Sequence, residues 1–334
     1  MRVLLWHVHG GYTDALVRGE HEYLLPVNET RDAWGLGLAG RPWPQAREVA
    51  IGALRDEQID VVVLQRPEEL ELVHRLTGRR PGRDIPAVYL EHNAPRPDAV
   101  ASRHPLADQD LIPIVHVTHF NDLFWDSGRA RTLVVEHGVP DPGERYSGGL
   151  AHLAAVVNEP VRRGRIAGTD LLPLFARIAP LDVFGMGGRE LEELYAPEST
   201  GVSPAGDLPP GTLQRELGRR RVYLHPYRWT SLGLSLIEAM LIGMPVVAVA
   251  ATEAARAIPH GAGIVSTDID ELRRGAIGYL VDPGLAREAG QRGRNHALRR
   301  FSHTTFLRRW DAVLGDLAAS PSRNRPAAAP AGRS

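Results

Sequence analysis

Neither cysteine nor lysine occurs anywhere in the 334 residues of this chain. Without cysteine, disulfides, thiolate metal sites and cysteine nucleophiles are excluded. Without lysine every basic side chain is an arginine, which reads as a coding bias rather than a selected surface. A charge imbalance is missing as well. The formal net charge is -1, so the molecule as a whole has no electrostatic preference for nucleic acid or acidic membranes. No apolar run approaches the ~20 residues that span a bilayer, and the segment Arg2 to Trp6 is too short for a signal peptide. The expectation is a soluble, cytoplasmic protein. Apolar residues are plentiful: 43% hydrophobic side chains in a chain of this length suffice for two cored domains.

Short apolar runs alternate with helical or turn-rich segments along the chain. In the first part, the stretches from Val3, Ile59, Ile85, Ile112 and Thr132 read as buried strands. Helices are predicted over about 45–57, 67–76 and 121–131. Pro26 to Pro44 is rich in turn formers and reads as a surface loop carrying Trp34 and Trp43. Such tryptophans either stack on a sugar or apolar acceptor or pack against their own domain. Strand–helix alternation implies parallel pairing in a doubly wound sheet. The first strand runs into Gly10 and Gly11, where glycines permit close approach of a ligand at a strand's carboxyl end; a plain tight turn is the competing reading. His7 and His9 share a strand face with His-x-His spacing, but no other ligand stands near them. Interior histidines are expected there rather than a metal site.

Asp141 to Gly149 is the best linker candidate, with proline and glycines clustered together. A second α/β series starts at Leu153 and runs into a basic turn, Asn158 to Arg165, then into Gly168-Thr169-Asp170-Leu171-Leu172. Leu181 to Phe184 is a strand that ends in Gly185. Ala196 to Gly211 is predicted as a surface excursion. Helices follow over about 270–280 and 283–299. The second of these carries Arg287, Arg292, Arg294 and Arg299, and Arg300, Arg308 and Arg309 follow. That face reads as solvated or salt-bridged, with peripheral contact to anionic lipid as the alternative. From Ser320 the Pro/Ala-rich tail is expected to be disordered.

The densest signal lies between Tyr223 and Ala250, YLHPYRWTSLGLSLIEAMLIGMPVVAVA. A short strand breaks at Pro226. A loop leads to Gly233, a compact helix runs from about Leu234 to Leu241, Gly243 and Pro245 stop it, and Val246 to Val249 reads as the next buried strand. Glu238 sits in a helix with almost no polar face. A carboxylate there is costly to desolvate without a dedicated donor. It is either partly exposed, held by an arginine, or matched to a ligand hydroxyl.

Gly233-Leu234, Glu238-Ala239-Met240 and Gly243-Met244-Pro245-Val246-Val247 together resemble the donor-binding motif of retaining GT-B glycosyltransferases of the family-4 type. The resemblance implies two Rossmann-like doubly wound domains facing across a cleft. Their expected extents are 1–142 and 151–303, joined by a linker at 143–150. A helix at 304–318 would cross back to the first domain, ahead of a tail at 319–334. It implies that Glu238 holds the ribose of a nucleotide sugar, and that Ser231, Leu232, Gly233 and Leu234 meet its phosphates and sugar. Gly185 would adjoin the base and Gly10 and Gly11 would face the donor. Arg162 and Arg165 would take the diphosphate, since Ala167 stands where the family has a lysine. His92, after the strand from Ile85, would reach the donor sugar. So would Thr230, which replaces the family's first glutamate and supplies a hydroxyl without charge. The substrate implied is a UDP- or GDP-sugar, with a small-molecule, glycan or lipid-linked acceptor, no metal and no cofactor. A catalytically weak nucleotide-sugar-binding homologue and a sugar-nucleotide 2-epimerase share these features and stand as alternatives.

Overall fold

The computed structural model of the protein describes residues 1–196 and 200–319; the tail expected to be disordered lies outside the described residues. The chain divides into two units. The first comprises residues 1–137 together with the C-terminal segment from Thr304, and the second residues 138–303.

The first unit is built on β1 (Arg2–Leu5), β2 (Glu22–Val27), β3 (Ala46–Ala50), β4 (Val61–Leu64), β5 (Ala87–Glu91), β6 (Ile114–His116) and β7 (Thr132–Val134), with helices α1 (Gly10–Leu16), α2 (Glu69–Thr77) and α3 (His119–Phe124). The strands are all parallel, in the order β3-β2-β1-β4-β5-β6-β7. Alternate residues feed opposite faces. Val3, Leu5, Val61, Val63, Val88 and Leu90 pack with Tyr12 and Leu16 on one side, and Leu4, Trp6, Val62, Leu64 and Tyr89 pack with Val73 on the other. A parallel sheet covered on both faces needs this near-continuous β-branched composition.

In the second unit the elements are β8 (Leu150–Val156), α4 (Pro160–Arg163), α5 (Leu172–Ala176), β9 (Leu181–Phe184), α6 (Gly188–Tyr195), β10 (Val202–Gly206), α7 (Pro210–Arg219), β11 (Arg220–His225), α8 (Leu234–Leu241), β12 (Val246–Val249), α9 (Ala254–Ala257), β13 (Gly263–Ser266), α10 (Ile269–Val281) and α11 (Pro283–Arg300). The parallel order is β10-β9-β8-β11-β12-β13. The last helix, α12 (His303–Ala319), belongs mostly to the first unit. There Phe306, Trp310 and Leu314 enter the core at helical spacing, and the Trp310 indole donates to the Tyr12 hydroxyl at 2.9 Å. This is the two-sheet α/β architecture of the GT-B fold.

Four expectations need correction. The segment predicted as a helix at 45–57 is strand β3 followed by a short 3-10 turn, Ile51–Ala53. Its apolar residues Ala46 and Val49 fall at helical spacing, while Arg47 and Glu48 point outward into ion pairs with Glu22, Glu57 and Arg31, as an edge strand allows. Strand β2 takes in Pro26 and Val27, so the turn-rich loop starts later than expected. The surface excursion at 196–211 contains edge strand β10, disguised by Pro204 and Gly206, where the register with β9 shifts. Helix α3 starts from its Thr118 cap and stops at Phe124, well short of Arg131.

The basic face of α11 is partly engaged within its own unit. Arg294 holds Asp141 at 2.8 and 2.9 Å, and Arg300 reaches Glu253 at 3.1 Å. Among the described residues no helix is long and apolar enough to cross a membrane. Strand order reverses between β1 and β4 in one sheet and between β8 and β11 in the other. In open α/β sheets the carboxyl ends at such a switch point form the crevice where ligands bind.

Candidate functional site

At the switch point of the second unit, the segments leaving β8 and β11 are fastened to each other. The Tyr227 hydroxyl donates to the Val156 carbonyl at 3.2 Å. The Arg228 and Trp229 amides donate to Ile166 O at 3.0 and 3.3 Å. The Arg228 guanidinium grips Asp170 at 2.6 and 2.9 Å and donates to the Arg165 carbonyl at 2.9 Å. Gly168 is required on two counts: its φ is +75°, and a Cβ there would lie 2.0 Å from Pro226 O. Gly185 makes a similar close approach next door. With φ at +119°, its Cβ would fall 2.6 Å from Asn158 Oδ1, which also accepts from the Met186 amide at 3.1 Å.

Of the arginines in this turn, Arg162 is exposed and pairs with Glu159, and Arg165 reaches Asp170 at 2.8 Å. Arg163 differs from both. Its Cζ lies 5.1 Å from the centroid of the Tyr227 ring, it hydrogen-bonds the Tyr227 side chain, and Glu159 acts on it only through space, with no ion pair among the described residues. Arg163 therefore offers the less compensated charge to an incoming anion.

The loop from β11 then enters α8. Thr230 is part-buried, while Ser231 is buried and the Leu232 side chain lies in the hydrophobic core. Gly233 caps α8 with no side-chain hydrogen bond, and a Cβ there would meet His225 Cε1 at 3.2 Å. A helix opened in this way presents backbone N–H groups and a positive dipole end, which suits an anion. His225 is fully buried, and burial lowers its pKa to about 3, so a neutral imidazole backs the helix start.

Glu238 projects from α8 between the buried side chains of Ile237 and Ala239 and remains only partly exposed. No arginine pairs with it among the described residues; its hydrogen-bond partner is Gln214 of α7. Burial raises its pKa from 4.5 to about 7, because one amide does not replace the water a carboxylate loses. Such a group gains most from a ligand that brings hydroxyl donors.

In the first unit, Gly10 and Gly11 open α1 in helical geometry rather than forming a left-handed turn. His7 and His9 do not share a strand face, since β1 ends at Leu5. His7 Nδ1 lies 3.0 Å from the Gly37 carbonyl, whereas the His9 ring packs 4.3 Å from that of His92. Trp43 is buried and donates to Asp14 at 2.8 Å, so its ring is core, not a platform for stacking. Trp34 is exposed, with the Arg66 guanidinium 3.8 Å above its ring, and it lines a cavity of about 570 Å³ with Asn28, Glu68, Leu72 and Arg75.

His92 follows β5 directly. Its ring packs edge-on against Tyr12 at 4.6 Å, and its Nε2 lies 3.1 Å from Gln65 Oε1. Burial, then His9 and His137, hold its pKa well below the ordinary value, so the ring is neutral at physiological pH. Among the described residues no group of three or more His, Asp or Glu side chains is placed to hold a metal.

Each unit thus gathers its own predicted residues: Arg162, Arg165, Gly185, Thr230, Ser231, Leu232, Gly233, Leu234 and Glu238 in the second, and Gly10, Gly11 and His92 in the first. Sequence reasoning missed Arg228, Gln214, His225 and Gln65. Gln214 lies on a helix like any other amphipathic one, and nothing local links Arg228 to Asp170 across 58 positions.

No curated protein sequence matches the chain. Solved structures do match in fold. Sucrose-phosphate synthase from Thermosynechococcus elongatus superposes with a TM-score of 0.72 at 16% identity, over 96% of this chain and 100% of that one. HepE from Anabaena in complex with UDP gives 0.70 at 16% identity, over 95% and 100%. TarM from S. aureus, in complex with UDP, Fondaparinux and alpha-GlcNAc-glycerol, gives 0.62 at 14% identity over 78% of this chain, which spans 55% of that protein. Residues 170–284, which include Asp170, the loop into α8 and Glu238, match the family of glycosyl transferases group 1. Residues 170–284 of the second unit are thus similar to glycosyl transferases group 1, on a chain with the GT-B fold.

Proposed function

We propose that the protein is a retaining, metal-independent glycosyltransferase that moves a sugar from a nucleotide-diphosphate sugar to the hydroxyl of an acceptor. Glu238 carries this reading. It is a partly exposed carboxylate without a cationic partner, one turn inside a glycine-opened helix, within the segment that matches glycosyl transferases. In this reading Glu238 accepts hydrogen bonds from the two ribose hydroxyls. The bond between the anomeric carbon and the diphosphate oxygen breaks, and a bond to the acceptor oxygen forms on the same face. The acceptor's proton passes to the departing diphosphate. Negative charge grows on that diphosphate as it leaves, and the backbone N–H groups at Gly233 and Leu234, with Arg163 and its neighbours Arg162 and Arg165, balance it. Electrostatic stabilisation of this kind is worth several kcal/mol in a preorganised site. His92 and Thr230 serve the donor's sugar, Gly185 adjoins the base, and Trp34 borders the acceptor's approach.

A UDP-sugar is the first donor to test, because HepE and TarM are both in complex with UDP. Thr230, uncharged where the resembled motif has a carboxylate, favours a second reading, in which the protein binds the nucleotide sugar without transferring it. Calorimetry with a panel of UDP- and GDP-sugars, followed by donor hydrolysis with and without EDTA, separates the two. Binding with EDTA-insensitive hydrolysis supports the transferase. Binding alone supports the second reading, sugar interconversion without acceptor supports an epimerase, and binding of no nucleotide sugar refutes all three.

A further inference from the structure

Trp34 is 37% exposed, yet it is firmly held. Its N–H donates to Asp32 Oδ1 at 2.8 Å, and its carbonyl receives the indole of buried Trp6 at 3.0 Å. The Arg66 guanidinium lies 3.8 Å from the centre of its ring, and that side chain also donates to the Ala33 carbonyl and to the fully buried Glu69, each at 2.8 Å. The loop carrying Trp34 is closed on itself. Asn28 Nδ2 donates to Asp32 at 2.8 Å, the Asn28 N–H donates to the Gly35 carbonyl at 3.0 Å, and Arg31 grips Glu48 at 2.7 and 3.0 Å. Gly35 permits this closure, since a Cβ there would lie 2.3 Å from Asn28 Cγ. A large aromatic ring fixed in this way has little freedom left to lose when a ligand covers it.

The ring borders the cavity of about 570 Å³, whose apolar lining is completed by the half-buried Ile51, Leu72 and Leu76. A second cavity, of about 600 Å³, adjoins it through Asn28 and Ile51 and lies at the carboxyl ends of β2 and β3. Volumes of this order each hold one small organic molecule. The charged side chains lining the pair are Glu29, Glu68, Glu71 and Arg75, three acids and one base, which leaves a formal charge of −2. None of the four makes an ion pair or a side-chain hydrogen bond among the described residues, although Glu71 and Arg75 stand four apart on α2. The arginines around Trp34 are already matched, Arg31 by Glu48 and Arg66 by Glu69. A place in the first turn of α2 suits the sign of Glu68 and Glu71, but does not explain why they border an apolar cavity. A neutral sugar here would lay hydroxyls against leucines with no bond in return, and an anion would meet excess negative charge. An apolar body with a cationic head satisfies both the lining and the uncommitted acids.

We infer that the first unit holds a binding site for a cationic amphiphile, an apolar ring or short chain ending in an amine, with the apolar part against Trp34, Leu72 and Leu76 and the amine at Glu68 and Glu71. The site lies wholly within the first unit. It goes beyond the proposed function and stands on the cavity and its charges, whether or not a sugar is transferred.

The test is an NMR titration of the ¹⁵N-labelled full chain, following the Trp34 indole, assigned by its loss in Trp34→Phe, and the Leu72 and Leu76 amides. The probes share one body and differ in the head: phenylbutylamine, phenylbutanol and phenylbutyrate, with methyl glucoside as the sugar. At neutral pH and low salt the amine should bind with a Kd about fivefold below that of the alcohol, and the butyrate more weakly than the alcohol. Salt at ~0.5 M should bring the amine to within about twofold of the alcohol, because exposed charges are screened. Changing Glu68→Gln and Glu71→Gln together should remove the advantage of the amine and leave the Kd of the alcohol unchanged. Trp34→Ala, read at the two leucine amides, should weaken amine and alcohol alike, about fivefold or more. Circular dichroism confirms that each variant is folded. Equal affinity for amine and alcohol, tighter binding of the butyrate or the glucoside, or an amine advantage that survives the double change overturns the assignment of the ligand. Signals that do not move with any probe overturn the site. No reading here uses a nucleotide sugar, so failure of this site and failure of the proposed function are told apart.

Discussion

The ionisation of Glu238 gives the sharpest handle on the proposed site. Its pKa is raised from 4.5 to about 7, so between those values the folded protein holds a proton that the unfolded chain has lost. The folded state then binds more protons, and the stability contributed by this group is full below about 4.5 and is lost as pH rises through about 7. Ionising the carboxyl in place costs about 3 kcal/mol relative to an ordinary glutamate, at 1.36 kcal/mol per pKa unit. Two ribose hydroxyls donating to the carboxylate would return about 3–6 kcal/mol, at about 1.5–3 each for hydrogen bonds to a charged group. Donor binding should therefore drive the proton off. At pH 6 the free carboxyl is roughly nine-tenths protonated, so binding should release close to one proton; at pH 8 it should release almost none. The affinity should rise about tenfold between those pH values. The assay is calorimetry with a UDP-sugar in two buffers of different ionisation heat. The diphosphate of a UDP-sugar is esterified at both ends and does not titrate in this range, so the protons counted come from the protein. Glu238→Gln should remove the pH dependence and weaken binding about 100-fold or more at pH 8, with the fold intact. Undiminished affinity in Glu238→Gln, or flat affinity with no proton release in the wild type, would refute the placement of the ribose at this carboxyl.

Other perturbations test the frame around the site. Trp310→Ala should destabilise the first unit by about 3–5 kcal/mol, read as the midpoint of its urea transition, because the indole fills the core and donates to Tyr12. Gly168→Ala should raise the donor Kd about tenfold or more by forcing the 164–170 turn away from Pro226, whereas Gly52→Ala, which faces open space, should leave affinity unchanged in the same titration. Glu91→Ala should cost the first unit about 1–3 kcal/mol in chemical denaturation, since it leaves the buried His104 ring and the Asn93 amide without the carboxylate that receives them at 3.2 and 2.6 Å. Trp34→Ala should raise acceptor KM several-fold while leaving donor hydrolysis unchanged, once an acceptor is known.

How much of this was legible in the sequence depended on whether the determining contacts were local. Strands β4 and β12 announce themselves as VVVL and VVAV because a central parallel strand buries both faces and leaves no polar position to confuse the pattern. The edges do not. Strand β3 pairs Arg47 with Glu22 and Glu57 and looks like a solvated helix, and β10 carries Pro204 and Gly206 and looks like a loop. Helix α8 was readable with its odd acid for the same local reason: Gly233 opens it, Gly243 and Pro245 follow its end, and the neighbours of Glu238 are apolar. What the residues do was much less readable. Composition singles out Glu238, but only the fold shows that its partner is Gln214 rather than an arginine, and that burial, only partly offset by that one amide, brings its pKa near neutrality. A histidine at the end of β5 is plain in the sequence, yet it meets an amide 27 positions away, which is held in turn by a carbonyl 59 positions from that amide. Both contacts exist because strand order reverses beside β1, which sets the exit of β4 against that of β1 with the exit of β5 next to it. The same reversal between β8 and β11 joins Asp170 to Arg228. Local pattern therefore identifies candidate residues, while their charge and proton inventory is a property of the switch points, and the chemistry proposed here rests on that inventory.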